Sequence, residues 1–368
     1  MSTNDAESGV RAGECCIPKI PDSGAHSTVY FYALDGVRAF CVFIVILAHT
    51  RNRPAILSHF PGFLGVDIFF VLSGFLITYL LRQEYSKIRS INLRAFYLRR
   101  FFRIVPIYAV VLLTYVILCR FVGSAEKWTT MKIELPYFLT FMNEYIPRSL
   151  AGATPFSYSW TLGIEEKFYL IWPVLFFVMF KSTRLRNAIS IGLYFILLAA
   201  TPFIQGAARS YSGLLVGCFL GILLTGPFAA RYSEFMRRVP TIVPLILFIF
   251  GFYLAYLQYW LLFLFSWFTF CLVGELVLKE TWLSRFLSTR LLVWLGKRSY
   301  GMYLIQGLCM DVVHDHLHLD GIICALTTYS LAAVVSEGAY RLIETPARKL
   351  GKTLIAGLPL RHEQVVSA

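Results

Sequence analysis

Charged residues are scarce in this chain of 368 residues. They make up 15% of the sequence, whereas average usage in soluble domains is about 25%. Hydrophobic residues make up 57%, and apolar runs of about 20 residues, each long enough to cross a bilayer core of about 30 Å, recur along the chain. A soluble fold of this size could not bury so many runs. The composition therefore predicts an all-α membrane protein in contact with the lipid bilayer.

Sequence signals of several other protein classes are also missing. None of the eight cysteines forms a Cys-x-x-Cys pair, so neither a disulfide framework nor a zinc site is indicated. Neither a Gly-x-Ser-x-Gly elbow nor a Walker loop occurs, which leaves no strong serine nucleophile. His314, His316 and His318 alternate with acidic residues in a short turn, but this spacing without a fixed scaffold is weak evidence for a metal. We expect no metal site.

The apolar runs predict about ten transmembrane helices in one membrane domain. The expected spans cover residues 33–50, 62–81, 104–120, 159–180, 187–204, 211–227, 239–257, 260–278, 291–311 and 321–343. The apolar stretch 135–142 is too short to cross and is interpreted as an interfacial or re-entrant piece. Residues 1–28 are polar and show no cleavable signal peptide, so they are expected to form a flexible cytoplasmic tail, with a second cytoplasmic tail over residues 346–368. Residues 29–345 form the expected membrane domain.

The positive charges indicate how the chain is oriented. The net charge is +13, but the basic residues cluster between the apolar runs, which argues for membrane topology and against nucleic-acid binding. With the N-terminus inside, 25 of the 34 Lys and Arg residues fall in inner tails and loops and seven fall in outer loops. This asymmetry predicts a multi-pass membrane protein with both termini in the cytoplasm.

The first span carries three ionisable residues, Asp35, Arg38 and His49. Charges inside a membrane are costly, so they are treated first as functional candidates. Arg38 and His49 are 11 positions apart, which places them on the same helix face about 16 Å apart. Arg38 and His49 are therefore predicted to line one slot, with one residue near each end. The alternative is that Asp35 only pairs with Arg38 and that His49 is an interfacial residue.

Acidic residues in two further spans are expected at the depth of His49. Asp67 lies in the glycine-rich second span, where it could orient the imidazole or, alternatively, only pin two helices together. Glu165 and Glu166 lie near the start of the fourth predicted span, where the i, i+4, i+7 spacing places Glu165, Tyr169 and Trp172 on one helix face. Two adjacent glutamates at this depth are not both cheaply ionised. One of them could carry a proton or pair with Lys167, or the group could be a local ion cluster.

A basic cluster, Arg99, Arg100 and Arg103, precedes the third span on the inner side. Guanidinium groups at this spacing suit phosphate recognition. The alternative is ordinary enrichment of positive charge in an inner loop.

Together these motifs resemble the acyltransferase-3 family of membrane proteins. The matching segments follow in family order: Leu34-Asp-Gly-Val-Arg38 leading to His49, Gly65 to Ile77 around Asp67, Arg99-Arg-x-x-Arg103, Trp160 to Pro173 with the glutamate pair, Leu295 to Tyr303, and Leu342-Ile-Glu-Thr-Pro346. Lys167 departs from the family, which often has Gln there. The absence of an appended hydrolase-like domain is similar to the exopolysaccharide and nodulation-factor O-acetyltransferase subgroups.

The resemblance implies O-acylation, usually acetylation, of a carbohydrate or glycolipid acceptor, with acyl-CoA as a co-substrate from the cytoplasm and no permanently bound cofactor. It further implies a location in the bacterial inner membrane. It also implies that Arg38, Arg99, Arg100 and Arg103 contact the donor, whose thioester reaches His49, Asp67, Glu165 and Glu166. His49 would either deprotonate the acceptor hydroxyl or carry the acyl group. The competing hypotheses are a glycan transporter or flippase and a non-catalytic scaffold.

Overall fold

Helices formed by the apolar runs make up the regular structure of the protein. The computed structural model describes residues 30–50, 61–147, 155–179, 192, 211–258 and 261–357, and all regular elements in these ranges are helical. The α-helices in chain order are α1 (Tyr32–His49), α2 (Gly62–Ile88), α3 (Leu93–Phe121), α4 (Ala125–Leu139), α5 (Trp160–Met179), α6 (Tyr211–Leu224), α7 (Ala229–Arg238), α8 (Ile242–Leu257), α9 (Leu262–Leu278), α10 (Trp282–Leu287), α11 (Arg290–Asp311), α12 (Gly321–Ala339) and α13 (Thr345–Ala356). The all-α prediction is confirmed for the described ranges.

Four helices of the described chain are long and apolar enough to cross a membrane. They are α1, α2, α3 and the long helix Gly321–Ala356, in which a π-helical segment joins α12 to α13. A fifth candidate combines α6 with α7, which are bent by 102° relative to each other. The prediction of about ten spans is therefore supported only in part, and the predicted span 187–204 lies almost wholly outside the described residues.

The four other predicted spans, 159–180, 239–257, 260–278 and 291–311, coincide with α5, α8, α9 and α11. Each of these helices is either too short or too charged to count as a simple apolar span. Helices α8 and α9 have 16 and 17 residues, which at 1.5 Å per residue is shorter than a hydrocarbon core of about 30 Å. Helices α5 and α11 are longer, but each carries at least three charged side chains, among them Glu165 and Lys297. Charge within these helices indicates that they face the protein interior.

Helix α1 packs among α2, α10, α11 and α12, and glycines allow backbones to meet there. A Cβ atom at Gly296 of α11 would lie 1.9 Å from the Asp35 carbonyl oxygen of α1. Likewise, a Cβ atom at Gly74 of α2 would lie 1.9 Å from the Leu214 carbonyl oxygen of α6. Such contacts are typical of membrane helices, which associate through small residues. Exposed apolar side chains such as Leu113 and Ile249 cover the outer faces of α3 and α8.

Two segments differ from simple tails or loops. The predicted interfacial piece 135–142 is the last turn of α4 and the turn after it, where Phe141 has a left-handed φ of 54°. The predicted cytoplasmic tail from residue 346 is not all tail, because α13 continues the helical domain to Ala356 and packs on α3. This helix is amphipathic and basic instead of apolar, and hydropathy alone therefore missed it.

Candidate active site

A cavity of about 950 Å³ opens among α1, α2, α3, α5, α11 and α13. Its size is near the upper end of ligand pockets, which span about 300–1,000 Å³. Eight basic side chains line it, against three acidic ones, Asp35, Glu84 and Glu165. The basic residues are Arg38, Lys87, Arg99, Arg100, Arg103, Lys297, Arg348 and Lys352. All four arginines predicted to contact a donor therefore line one cavity.

Three of the five arginines that line the cavity are paired with carboxylates. Arg38 Nη1 lies 2.8 Å from Asp35 Oδ1, which is the pairing that the alternative interpretation of this helix gave. Arg99 pairs with Glu84 at 3.2 Å and Arg348 pairs with Glu344 at 2.7 Å. Since the pairs orient the guanidinium groups without covering them, these arginines keep further N–H donors for a ligand.

The second oxygen of Asp35 accepts a hydrogen bond from the Tyr30 hydroxyl at 2.5 Å. Burial raises the pKa of Tyr30, and the hydrogen bond to Asp35 raises this pKa further, so the phenol stays protonated as a donor. Asp35 is almost fully buried, and it thereby fixes both Tyr30 and Arg38 at the wall of the cavity.

Glu165, Tyr169 and Trp172 lie on one face of α5, as their spacing predicts. In the structure this face meets α2. Ser73 Oγ donates to Glu165 Oε1 at 2.9 Å, and the Tyr169 hydroxyl lies 3.3 Å from the same Ser73 oxygen. Trp172 Nε1 donates to Thr78 Oγ1 of α2 at 2.9 Å. Glu165 and Tyr169 line the cavity, so this face supplies one of its three carboxylates.

Arg100 connects the basic cluster to the same face of α5. Its guanidinium lies over the Tyr169 ring at 5.1 Å from the centroid, and over the Phe96 ring at 5.7 Å. Such cation–π contacts are strongest where water is excluded. Arg100 is therefore held between the basic end of the cavity and Glu165.

His49 lies beside the cavity and not in its wall. Its Nδ1 atom is 2.8 Å from the Val45 carbonyl oxygen, and its ring contacts the Tyr158 ring at 4.3 Å between centroids. A carbonyl oxygen only accepts hydrogen bonds, so Nδ1 carries the proton and Nε2 is the basic nitrogen of the neutral ring. Tyr303, which lines the cavity, donates to the Tyr158 carbonyl oxygen at 2.5 Å and joins His49 to the cavity.

Asp67 is directed toward α6 and α9 instead of the cavity. Ser266 Oγ of α9 donates to Asp67 Oδ2 at 2.8 Å. The other oxygen, Oδ1, is buried without a hydrogen bond within the described residues and faces Gly213 of α6. This contact fits the alternative in which Asp67 pins helices together, and it brings the carboxylate to Ser266 rather than to the cavity.

The alternative in which Lys167 pairs with Glu165 or Glu166 is not observed among the described residues. Glu166 has one buried oxygen without a hydrogen bond among the described residues, and it does not line the cavity. Lys167 pairs with Glu144 at 2.6 Å, a residue that carries no motif and that sequence reasoning missed. Its other donors reach the Phe141 and Gly163 carbonyl oxygens at 2.8 and 3.1 Å. The lysine therefore anchors the turn after α4 to the start of α5.

Four cavity cations were also missed by sequence reasoning: Lys87, Lys297, Arg348 and Lys352. Lys297 lies within Leu295 to Tyr303, and Arg348 lies two positions after Leu342 to Pro346, both matching segments without an assigned role. Their signal was present as basic residues near those segments, but hydropathy could not show that they face the same cavity.

The alternating histidines form a polar turn. His314 lies 3.1 Å from Asp315 and 3.2 Å from Asp320, each measured between a ring nitrogen and a carboxylate oxygen. Among the described residues, no three His, Cys, Asp or Glu side chains are arranged to hold a metal ion.

Comparison with known proteins finds O-acetyltransferases that are similar in sequence to this chain. The O-acetyltransferase OatA of Staphylococcus aureus (strain MRSA252) is 30% identical over 378 residues, covering 92% of this chain and 60% of the relative. The peptidoglycan O-acetyltransferase OatA of Listeria monocytogenes is 29% identical over 360 residues, covering 89% of this chain and 57% of the relative. The chain thus spans less than two thirds of the length of these relatives, and neither name supports the exopolysaccharide or nodulation-factor subgroups.

No solved structure matches the chain significantly. The family model described as an acyltransferase domain matches residues 31–336, a range that includes His49, the glutamate pair and the Arg99-Arg-x-x-Arg103 cluster. With a match over most of its length and the predicted arginines gathered around one cavity, the chain belongs to the acyltransferase-3 family.

Proposed function

We propose that this chain is a multi-pass O-acetyltransferase that moves an acetyl group from acetyl-CoA to a hydroxyl of a cell-envelope glycan. The observation that carries the proposal is the cavity with eight basic side chains, which suits a large polyanionic donor. Guanidinium and ammonium groups bind phosphate oxygens through charge-assisted hydrogen bonds. A transporter for a neutral glycan offers no reason for such a cluster.

We propose further that the cation-rich end of the cavity faces the cytoplasm of a bacterial cell. Six of the eight basic residues belong to the end of α2, the start of α3 and helix α13. The distribution of 25 inner and seven outer charges assigns these segments to the inner side. In this orientation both termini lie in the cytoplasm, and the apolar runs cross the membrane about ten times. The donor would then enter from the compartment that contains acetyl-CoA.

The chemical step follows from the tautomer of His49. The acceptor hydroxyl oxygen attacks the thioester carbonyl carbon while His49 Nε2 takes the hydroxyl proton. The carbon–sulfur bond then breaks, and the proton returns from His49 to the leaving sulfur of CoA. The Val45 carbonyl oxygen stabilises the transient imidazolium through Nδ1–H. Glu165 lines the cavity and Glu166 does not, so Glu165 is the member of the glutamate pair that we assign to the reaction site.

An envelope glycan is the acceptor that the relatives favour. One relative is named as an O-acetyltransferase and another as a peptidoglycan O-acetyltransferase. We therefore propose peptidoglycan or a related envelope polysaccharide ahead of exopolysaccharide and nodulation factors.

The test combines donor binding with glycan analysis. Purified wild-type protein in detergent is titrated with acetyl-CoA by calorimetry, and envelope glycans from cells expressing wild type or His49→Gln are compared by mass spectrometry. We expect saturable acetyl-CoA binding, and O-acetyl groups on a glycan only with the wild type. Absence of donor binding together with an unchanged O-acetyl content would contradict the proposal and favour a transporter.

A further inference from the structure

Helix α13 contributes basic residues to the cavity from a part of the chain that sequence analysis treats as a tail. Arg348 and Lys352 both line the cavity and lie one helical turn apart. The helix is held in place at Gly351, where a Cβ atom would lie 2.8 Å from the ring of Phe102 in α3. Since Phe102 lies directly before Arg103, this contact brings the cations of α13 beside the basic cluster of α3.

The charges gathered here repel one another. Arg103 interacts electrostatically with three other guanidinium groups, those of Arg100, Arg348 and Arg38. Within the described ranges, no carboxylate lies at ion-pair distance from five of the eight cavity cations, whereas Arg38, Arg99 and Arg348 have such partners. The five are Lys87, Arg100, Arg103, Lys297 and Lys352. A polyanionic ligand relieves this repulsion, because it places negative charge between cations that are otherwise compensated only by solvent.

The number of uncompensated cations suits the phosphates of the proposed donor. A diphosphate and a 3′-phosphate together carry roughly four negative charges at neutral pH, since a phosphate monoester carries about −1.5 to −2. Five of the eight cavity cations lack a carboxylate partner within the described ranges, enough to compensate all of these charges. Arg348 uses one side of its guanidinium for Glu344. Lys352 lies one helical turn beyond Arg348 and is therefore farther from the Arg348–Glu344 pair.

We propose that α13 forms the nucleotide-phosphate subsite of the donor, in which Arg103 and Arg348 hold the diphosphate and Lys352 binds the 3′-phosphate. The inference rests on the proposed function, because it assigns a part of the same donor to these residues. It makes α13 a specificity element that distinguishes CoA from nucleotides without a 3′-phosphate. The reacting thioester is not touched by this helix.

The experiment compares CoA with 3′-dephospho-CoA by calorimetry on full-length protein in detergent free of anionic lipid. The wild type should bind CoA about tenfold more tightly than 3′-dephospho-CoA, because 3′-dephospho-CoA lacks the group that makes one charge-assisted contact. Lys352→Gln should abolish this preference and bind both nucleotides alike. Lys349→Gln is the matched control, because Lys349 is exposed on the same helix and does not line the cavity.

The possible outcomes separate the inference from the proposed function. Equal binding of the two nucleotides by the wild type, or a preference retained by a folded Lys352→Gln protein, would overturn the subsite while leaving the donor in place. Failure of the wild type to bind either nucleotide would overturn the donor and the subsite together. Phosphatidylglycerol is then added to the micelles, because a lipid phosphate offers the same chemistry. Loss of the preference for CoA at low lipid concentration would assign Lys352 to a headgroup and also overturn the subsite.

Discussion

Replacing Lys167 by methionine should destabilise the protein more than replacing both members of its ion pair. Lys167 is 21% exposed and Glu144 only 4%, and the second Glu144 oxygen has no hydrogen bond within the described residues. Removing the lysine leaves a buried carboxylate without compensation, which typically costs about 3–5 kcal/mol. Because the lysine is partly exposed, we expect about 3 kcal/mol for Lys167→Met.

The double variant Lys167→Met with Glu144→Leu removes the buried charge as well as its partner. Replacement of a buried pair by apolar residues of similar volume is often nearly neutral. We therefore expect the double variant to be more stable than Lys167→Met alone. The free energy of unfolding is measured by titrating the purified protein with SDS in mixed micelles.

An exposed ion pair provides the control for this cycle. Arg238 and Glu234 lie 2.8 Å apart on α7 but are 77% and 56% exposed. Loss of an exposed pair at this helical spacing costs about 0.5 kcal/mol or less, so Arg238→Met should change stability little. The reasoning is refuted if the two single changes at Lys167 and Glu144 add within about 0.5 kcal/mol, as independent sites do.

Four further predictions concern the site and the fold. His49→Gln should lower glycan acetylation about 10²–10⁴-fold, the usual contribution of a general base, while His316→Gln, at an exposed position, should retain activity; full activity of a well-expressed His49→Gln protein would exclude the catalytic role. Arg103→Ala should raise the Kd for acetyl-CoA about tenfold or more, and Arg94→Ala, exposed on the same helix outside the cavity, should not; equal effects would return the cluster to a role in topology. Gly296→Ala should lower the yield of folded protein in detergent, because its methyl group would lie 1.9 Å from a backbone oxygen of α1; unchanged yield and thermal stability would show that α11 can move away. Single cysteines in a cysteine-free background should be labelled from the cytoplasm at position 94 and from outside at position 316, and the opposite pattern would reverse the proposed orientation.

Local sequence patterns predicted those parts of the site that depend on a single helix. The spacing of Glu165, Tyr169 and Trp172 predicted one shared face, and the structure shows that face against α2. The positions of Arg99, Arg100 and Arg103 within one helical turn predicted that they act together, and all three line the cavity. These predictions needed only the period of the α-helix.

Partners from distant parts of the chain could not be predicted in this way. Asp67 was expected to face His49, yet Ser266, 199 positions away, donates to its carboxylate. Pairing of Lys167 with a neighbouring glutamate was one of the alternatives that the sequence left open, yet Glu144 is its partner across the turn after α4. A hydropathy pattern identifies the buried face of a helix, but it does not identify the helix that packs against that face.

The sequence by itself determined the all-α membrane class, the family, the positions of most helices and the basic residues that suit a phosphate-bearing donor. Each of these depends on composition, on periodicity or on short motifs within one helix. Only the tertiary structure decided which charges share the cavity and that α13 adds Arg348 and Lys352 to it. It also decided that His49 lies outside the cavity wall, with its ring against the Tyr158 ring. The reason is physical: close helix packing at residues such as Gly296 and Gly351 sets the directions in which side chains converge, and these contacts join residues far apart in the chain.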